Sequence, residues 1–552
     1  MAFIVKKNIH GKEYFYLNEN KRVDGKVKTK TLAYLGKTRK DAEKKAKEIL
    51  KEEGNKEEKK APVPVKMKQE EIPIEDMAIF CKRKGLVYPS AEIYGGFAGF
   101  WDFGHLGVEL KNNVKKQWWN YHVRQREDIV GIDGAIITNP EVWKASGHVD
   151  SFNDVLVFCK RCKKPDKVDK HEIGKVKCSC GGEFDWDNVK EIEQMFKTEV
   201  GLDSHGYLRP ETAQLIFTNF KSVQDNARLK LPFGIAQIGK AFRNEIAPRE
   251  FLFRSREFEQ MELQYFVDLN KINDCPYYDK IKNYKIKILT AIAQEKEETV
   301  GVLTINEMLK NKIFKNKWHA YWLYNSYKWF LELGINEKKM RLREHKKDEL
   351  SHYADSAIDI EYEFPFGWQE LFGSHDRTDY DLSQHEKFSK KDLKIFDEET
   401  KKKVLPRVIE SSFGVERAFL VFMFDSYSKN QKGETVLCLH PKLAPIKAAV
   451  FPIVKKPEFE KIAEKIVKDL NKEWNIIYDK SGSIGRRYAR NDEIGTPFCI
   501  TIDGESIKKK DVTIRDRDTT KQIRVKTSEL KNILRQLIER EIEFEKSGKP
   551  FK

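Results

Sequence analysis

From Gln260 to Tyr265 the chain reads Gln-Met-Glu-Leu-Gln-Tyr, polar and apolar in strict alternation. Side chains of an extended backbone point to opposite faces in turn, so this period of two predicts a strand with one polar and one buried face. Phe258, Gln260 and Glu262 then share one face, and Met261, Leu263 and Tyr265 the other. An earlier run, Ala241-Phe242-Arg243-Asn244-Glu245, places Arg243 and Glu245 two residues apart, hence on a common face if extended. The segment between them carries Arg249, Arg254 and Arg256. Together they predict a long hairpin that presents arginine, carboxylates, glutamine and a flat ring from one surface, with arginines at its tip. A guanidinium matches phosphate, a ring stacks on a base, and carboxylates hold an amine, so the set describes a site for a nucleotide plus an amino acid. Arg-x-Glu alone is usually a surface ion pair; its occurrence in one hairpin with the other groups carries the argument.

At 552 residues the chain exceeds one core, and three or four domains are expected. A formal charge of +16 favours a polyanionic partner such as nucleic acid, although a solvated lysine-rich surface is the bland alternative. No run of about 18 apolar residues suggests a membrane span. The N-terminus shows no apolar signal core. Eight cysteines in so long a chain do not form a disulfide scaffold, which points to a reducing cytoplasm.

Residues 1–53 read as a small basic unit: strands at Tyr14–Leu17 and Thr29–Leu35 around Asp24-Gly25, then a lysine-rich helix from Arg39 to Glu53. Residues 54–72, with a Lys/Glu run and Ala-Pro-Val-Pro-Val, have linker composition. A catalytic core is expected over 73–268 and 351–445. Within it, Glu75–Lys84 and Val108–Arg126 read as helices and Ile136–Pro140 as a strand ending at proline. Residues 269–350 read as a helical insertion, with helices over Lys280–Lys296 and Trp318–Leu333. From 446 to 552 a βα pattern leads to two closing strands and a final helix, Thr527–Phe544, an α/β domain. Arg486, Arg487 and Arg490 fall in an expected loop of that domain.

Three further motifs carry chemistry. Glu410-Ser-Ser-Phe-Gly-Val-Glu-Arg417 places a glycine before an apolar helix and an arginine in its first turn, where a cation opposes the helix dipole and implies an anionic ligand. Arg209-Pro-Glu-Thr-Ala-Gln opens another helix, with Pro210 suited to its first position and Ala213, Ile216, Phe217 and Phe220 forming the buried stripe. Cys159-x-x-Cys162 followed by Cys178-x-Cys180-Gly-Gly reads as a zinc ribbon over 155–185 with one tight pair, against free buried thiols.

The arginine hairpin resembles motif 2 of the class II aminoacyl-tRNA synthetases, and Glu410–Arg417 with the apolar helix after it resembles motif 3. Ser-Ala-Glu-Ile-Tyr-Gly-Gly-Phe, Arg-Pro-Glu-Thr-Ala-Gln, Ala-Phe-Arg-Asn-Glu-Ile-Ala-Pro-Arg, Arg-Glu-Phe-Glu-Gln-Met-Glu, Trp368-Gln-Glu-Leu371 and Asp376-Arg-Thr-Asp-Tyr-Asp-Leu382 are similar to the dimeric glycyl branch of that class. The likeness covers about 74–268 and 351–552. It implies an α+β fold: an antiparallel-sheet catalytic core with an inserted helical region, a C-terminal α/β anticodon-binding domain and a small N-terminal extension. It implies glycine, ATP with Mg²⁺, and tRNA(Gly) as ligands, structural Zn²⁺, and a homodimer through motif 1 around Pro140. By the same resemblance Arg243, Glu245 and Arg417 are the catalytic groups. ATP is expected on Arg243, Asn244, Glu245, Phe253, Arg254, Phe258, Glu370, Leu371, Gly414, Val415, Glu416 and Arg417, with adenine on Phe258. Glycine is expected among Glu211, Phe258, Glu259, Gln260, Met261, Glu262, Arg377, Glu410, Ser412 and Gly414, with Arg377 near its carboxylate. Glu370 and Glu410 are candidates for magnesium and ribose. Lys167-Val-Asp169-Lys stands where the family tends to have Arg-Ala-Asp, and lysine lacks the bidentate fork. The competing reading, a non-catalytic nucleic-acid-binding paralogue, predicts loss of these arginines or carboxylates; all are present.

Overall fold

The computed structural model describes residues 2–9, 12–23, 26–36, 38–39, 41–46, 68–168, 173–398 and 400–551. The chain forms two compact units, Met1–Lys66 and Met67–Lys552. In the first, β1 (Ala2–Ile9), β2 (Lys12–Val23) and β3 (Lys26–Gly36) make an antiparallel sheet in that order. Phe15, Leu17 and Leu35 pack on Ala42 and Ala46 of a helical segment, residues 41–46. β1 is an addition to the two strands expected from sequence. The Asp24-Gly25 turn, residues 47–53 of the expected helix, most of the linker and Asp169 lie outside the described residues.

The second unit is built on a nine-stranded sheet. Its strands are β4 (Ile129–Ile132), β5 (Phe233–Phe242), β6 (Glu257–Val267), β7 (Lys285–Leu289), β8 (Gly301–Thr304), β9 (Met340–Glu344), β10 (Ser356–Phe364), β11 (Gly367–Thr378) and β12 (Arg407–Gly414). Their order is β8-β7-β9-β10-β11-β12-β6-β5-β4. Two pairings are parallel, β5 with β4 and β7 with β9; the rest are antiparallel. The alternation read in the sequence holds through β6. Met261, Leu263 and Tyr265 are fully buried on one face, where Tyr265 meets Trp318 and Trp322 at ring-centroid distances of 4.9 Å each. Those tryptophans lie on the helix Lys317–Glu332, and that apolar stack holds the opposite face of β6 toward the site.

The helices used here are α1 (His105–Trp119), α2 (Ala213–Ala227), α3 (Lys317–Glu332), α4 (Tyr380–Ser389) and α5 (Val415–Ser426). α1 passes into a single π-helical turn, Asn120–Arg124, where the sequence suggested an unbroken helix to Arg126. Pro140 begins a short helix, Pro140–Ala145, capped by the Asn139 side chain, after a strand of only Ile137–Thr138. The expected helix Lys280–Lys296 is corrected to a helical turn (Tyr278–Ile281), β7, and another short helix (Ala291–Glu295). Lys-Ile-Lys-Ile-Leu in β7 has period two, and its Ile286 and Ile288 are buried. The 269–350 region therefore extends the central sheet with β7, β8 and β9 and lays α3 across it; it is not simply helical.

At the C-terminus, Ile476–Tyr478, Ala448–Pro452 and Phe498–Ile502 run parallel, followed by antiparallel Asp511–Asp516, Gln522–Lys526 and Lys549–Phe551. α6 (Pro457–Leu470), α7 (Ile484–Glu493) and α8 (Leu530–Ile538) complete this α/β layer. α8 is shorter than the expected Thr527–Phe544. Arg540 takes a left-handed backbone conformation (φ 56°), and the Glu541 N–H closes back on the Gln536 carbonyl, ending the helix. Arg486, Arg487 and Arg490 lie on α7, not in a loop. Arg487 is buried, donating to the carbonyls of Pro452 (2.6 Å) and Gly482 (3.1 Å), and Arg490 pairs with Asp479. At least Arg487 thus serves the fold rather than a basic surface.

Candidate active site and cysteine cluster

Register builds the site. Gln237, Glu262, Ser412 and Gly373 lie in one row across β5, β6, β12 and β11. Gln264, Glu410 and His375 lie in the next. Side chains of one row stand on one face, so the polar face of β6 meets polar groups from both neighbouring strands.

α2 begins at Ala213, three residues later than Pro210 suggested, with Thr212 at its N-cap. The stripe Ala213, Ile216, Phe217 and Phe220 is fully buried as expected. Glu211 therefore precedes the helix and turns inward. Its carboxylate accepts from Gln214 Nε2 (3.0 Å), lies 3.4 Å from His148 Nε2 and 4.0 Å from Arg377 Nη2. Burial disfavours the Glu211 charge, but His148 and Arg377 outweigh it and hold the group well below the ordinary carboxylate range. Glu262 accepts from Thr212 Oγ1 (2.5 Å), Gln260 Nε2 (2.9 Å) and Ser412 Oγ (3.0 Å). Among the described residues it has no ion pair. Burial, then the charges of Glu410 and Glu211, push it up to about 8. Glu410 accepts from Gln264 Nε2 (2.8 Å) and both its oxygens face Arg377 Nη1 (3.0 and 3.2 Å), with His375 Nδ1 at 2.8 Å. Arg377 is also forked onto Asp381 (2.8 and 2.9 Å) and stacked on Tyr353 at 3.8 Å. Three buried carboxylates, Glu211, Glu410 and Asp381, thus share Arg377, and Glu262 lies beside them.

Two residues of β6 expected at glycine turn their side chains away from Glu262. Met261 and Glu259 lie on the opposite face from Glu262, as the period of two itself requires. Met261 is fully buried in the core, and Glu259 pairs with Lys111 (2.7 Å) and Lys115 (3.1 Å) of α1. Glu416, expected at ATP, is likewise committed: it accepts from Lys111 Nζ (2.6 Å) and from the Glu259 backbone N–H (2.8 Å). The Leu371 and Val415 side chains are in the core, so only their backbones can reach a ligand. Arg377 was expected near a free carboxylate, yet its fork is filled by Asp381 and Glu410. Residues not singled out from sequence are His148, Thr212, Gln214, Gln264, His375 and Asp381. Gln264 continues the same alternation, Thr212 and Gln214 follow Glu211 in one motif, and Asp381 lies one helical turn after Arg377, so these were within reach of the sequence; His148 and His375 meet Glu211 and Glu410 from other segments.

The residues expected at a nucleotide lie around the end of β5 and the start of α5. β5 ends at Phe242, and the Glu245 N–H donates to the Arg243 carbonyl (2.7 Å), a tight turn, so Arg243 and Glu245 do not share a strand face. Arg243 instead donates from Nε to the Pro210 carbonyl (3.1 Å) and lies over Phe258 (5.3 Å) and Phe152 (5.5 Å). The Asn244 N–H is held by the Gln194 carbonyl (2.7 Å). Arg254 Nε is 4.0 Å from the Glu245 carboxylate. Arg417, in the first turn of α5, lies over Phe253 (4.5 Å) and pairs with Glu370 (3.0 Å). Gly414 pairs with Gln260 across the strands, linking the two halves.

Cys159, Cys162, Cys178 and Cys180 converge, with all four Sγ atoms within 4.8 Å of one another. The strands Asn153–Phe158, Pro165–Val168 and Lys190–Glu193 support the cluster. Cys159 and Cys180 are 3.5 Å apart and Cys162 and Cys178 3.7 Å. Tetrahedral ligation at a Zn–S length of about 2.3 Å requires sulfur separations of about 3.8 Å, so the donor set fits that ion. A side chain at Gly182 would meet Cys159 Sγ at 2.8 Å, which explains glycine after the tight Cys-x-Cys pair. Backbone N–H groups, first that of Cys162, draw the Cys159 thiol down to about 6.

Residues 196–427 match the tRNA synthetase class II core domain (G, H, P, S and T), and 447–537 match an anticodon binding domain. The fold is that of a class II aminoacyl-tRNA synthetase. Among curated relatives, a glycine–tRNA ligase of Geobacillus thermodenitrificans is 44% identical over 495 residues, covering 84% of this chain and 97% of that one. One from Borreliella burgdorferi is 44% identical over 473 residues (83% and 96%), and one from Acetivibrio thermocellus 43% over 492 (83% and 96%). The chain belongs to the glycine–tRNA ligase family. Residues 4–65 match a different model, the IS1634 family transposase N-terminal domain.

Proposed function

We propose that the chain activates glycine with ATP and transfers it to tRNA(Gly), with the buried carboxylates Glu211, Glu262 and Glu410 forming the glycine pocket. The observation that supports this is Glu262, a buried carboxyl that accepts only neutral hydrogen bonds among the described residues and lies beside Glu211 and Glu410: an α-ammonium group would give it the ion pair it otherwise lacks there. Glu211 and Glu262 hold the ammonium, and Ser412 and Gln260 orient it. Carboxylates packed this closely leave no room for a β-carbon, whereas an apolar pocket rejects one methylene by only about 10- to 200-fold.

In the first step a glycine carboxylate oxygen attacks the α-phosphorus, and the bond to pyrophosphate breaks. Arg243 stabilises the charge that grows on the α-phosphate, and Arg417 that on the departing phosphates. Phe258, Phe253 and the Arg417 guanidinium supply flat surfaces for adenine, and Glu245 accepts from its amine. In the second step a ribose hydroxyl of the tRNA terminus attacks the glycyl carbonyl and AMP departs. No protein nucleophile is required; alignment supplies the rate. Glu370, half-exposed beside Arg417, is the residue that would hold Mg²⁺, which when bound neutralises phosphate charge; Glu410 is already taken up by Arg377. The four cysteines would hold Zn²⁺ as a structural ion. A homodimer through the Pro140 region and a cytoplasmic location complete the reading; among the described residues no helix is long and apolar enough to cross a membrane.

ATP–pyrophosphate exchange with glycine, alanine, serine and proline tests the proposal. Exchange with glycine alone is expected. No exchange with any of them would favour the paralogue reading, and exchange with another amino acid would reassign the pocket.

A further inference from the structure

The N-terminal unit has two unlike faces. Phe15 and Leu17 of β2 point toward Leu35, Ala42 and Ala46 and form its core. Tyr14 and Tyr16, on the alternate positions, point the other way. There they meet Tyr34 of β3, with ring centroids 6.2 and 5.3 Å apart. In register on β1, Val5 stands opposite Tyr16 and Lys7 opposite Tyr14, and the Lys7 ammonium lies 5.2 Å from the Tyr16 ring centroid. Tyr34 remains 46% exposed. The helical segment 41–46 packs on the opposite face, and Tyr14 and Tyr16 are partly exposed.

Charge identifies what fits there. Residues 1–46 contain thirteen lysines and arginines against five acidic residues. An acidic peptide would satisfy that charge but offers nothing flat to the three rings. A nucleic acid with unpaired bases satisfies both: phosphates meet lysines, and bases stack on phenol rings laid out on an open sheet. The matched ligase relatives are covered almost end to end by only 84% of this chain, and residues 4–65 match a model from outside the ligase family. The unit is therefore an addition to the ligase, and its charge is of the sign that the ligase's own polyanionic substrate requires.

We infer that the N-terminal unit is an RNA-binding module whose open sheet face, Tyr14, Tyr16 and Tyr34 with Lys7 beside them, stacks unpaired nucleotides of the tRNA substrate. The inference rests on tRNA being that substrate. It adds affinity for tRNA without touching glycine activation, which belongs to the other unit.

The test uses the full chain. The triple variant Tyr14→Ala/Tyr16→Ala/Tyr34→Ala is compared with the triple Tyr→Phe variant and with Lys7→Gln. Fluorescence anisotropy measures tRNA affinity from low to physiological salt, and pyrophosphate exchange measures activation. The alanine variant is expected to bind tRNA at least tenfold more weakly, with exchange unchanged. The phenylalanine variant, which keeps the rings, should stay within about twofold of the parent. Lys7→Gln, an exposed change that does not threaten folding, should lower the salt slope of log K by about 0.7. The inference is overturned if the alanine variant and Lys7→Gln both bind like the parent at every salt concentration. It is equally overturned if polyglutamate displaces tRNA from the parent but not from the alanine variant, which would assign the face to an acidic polypeptide. Absence of glycine-dependent exchange in the parent would instead refute the ligase reading, so the two failures are distinguishable.

Discussion

Glu262 should make glycine binding depend on pH. Its carboxyl is buried, lies in the field of Glu410 and Glu211, and is raised to about 8. At pH 7 such a group is protonated by about ten to one. An ammonium ion binds the carboxylate form, so the proton must leave when glycine enters. One pKa unit corresponds to about 1.4 kcal/mol, so glycine should bind about tenfold more weakly at pH 7 than on the plateau above pH 8, and about 100-fold more weakly at pH 6. The assay is the glycine KM in pyrophosphate exchange from pH 6 to 8.5. Calorimetry in buffers of differing ionisation enthalpy should register close to one proton released per glycine at pH 7. Glu262→Gln should bind glycine weakly and abolish the slope. His148 against Glu211 and His375 against Glu410 are the other titratable groups facing the pocket. A slope that persists in Glu262→Gln would belong to them and refute the argument, as would a flat KM in the parent. The same shift acts on stability. The folded chain holds a proton that the unfolded chain loses above the ordinary carboxylate value, so stability falls as pH rises from about 4.5 to 8. Glu262→Gln should flatten that fall in a thermal-denaturation series.

Four other outcomes test the site. Arg243→Ala should lower pyrophosphate exchange about 100- to 1,000-fold while the folded state persists, because one phosphate-stabilising donor is lost; near-normal exchange would remove Arg243 from the chemistry. Glu211→Gln should raise the glycine KM strongly and leave the ATP KM nearly unchanged, whereas a joint rise would mean the pocket is misplaced. Met261→Ala should destabilise the fold by about 2–5 kcal/mol in denaturant titration with little effect on glycine KM, the reverse of Glu262→Gln. Elemental analysis should find one zinc per chain, lost in Cys180→Ser together with some thermal stability; a ratio near zero in the parent rejects the ion.

The polar face of β6 was legible because period two is a local property: Phe258, Gln260, Glu262 and the overlooked Gln264 need only an extended backbone to share a side. By the same rule Glu259 and Met261 belonged to the other face; the resemblance drew them into the site, and the fold returned them to α1 and the core. The arginine at the start of α5 and the four cysteines were also readable, since spacing along a helix turn or a ribbon is set by nearby residues. Arg243 and Glu245 were misjudged because extended geometry was carried past Phe242, where the chain turns. Lys285–Leu289 lies within a lysine-rich stretch of helical composition, and only its two buried isoleucines at strand spacing mark it as a strand.

The sequence by itself determined local form and chemical type: which stretches alternate, where glycine must stand, which residues can meet phosphate, ammonium or metal. Only the tertiary structure decided the electrostatics of the pocket. His148 reaches Glu211 across 63 positions, Thr212 reaches Glu262 across 50 and His375 reaches Glu410 across 35, brought together by strand register and the start of α2. Whether a glutamate is charged depends on how many carboxylates share one arginine and how little water is left among them. Those are properties of packing in three dimensions, and no period along the chain records them.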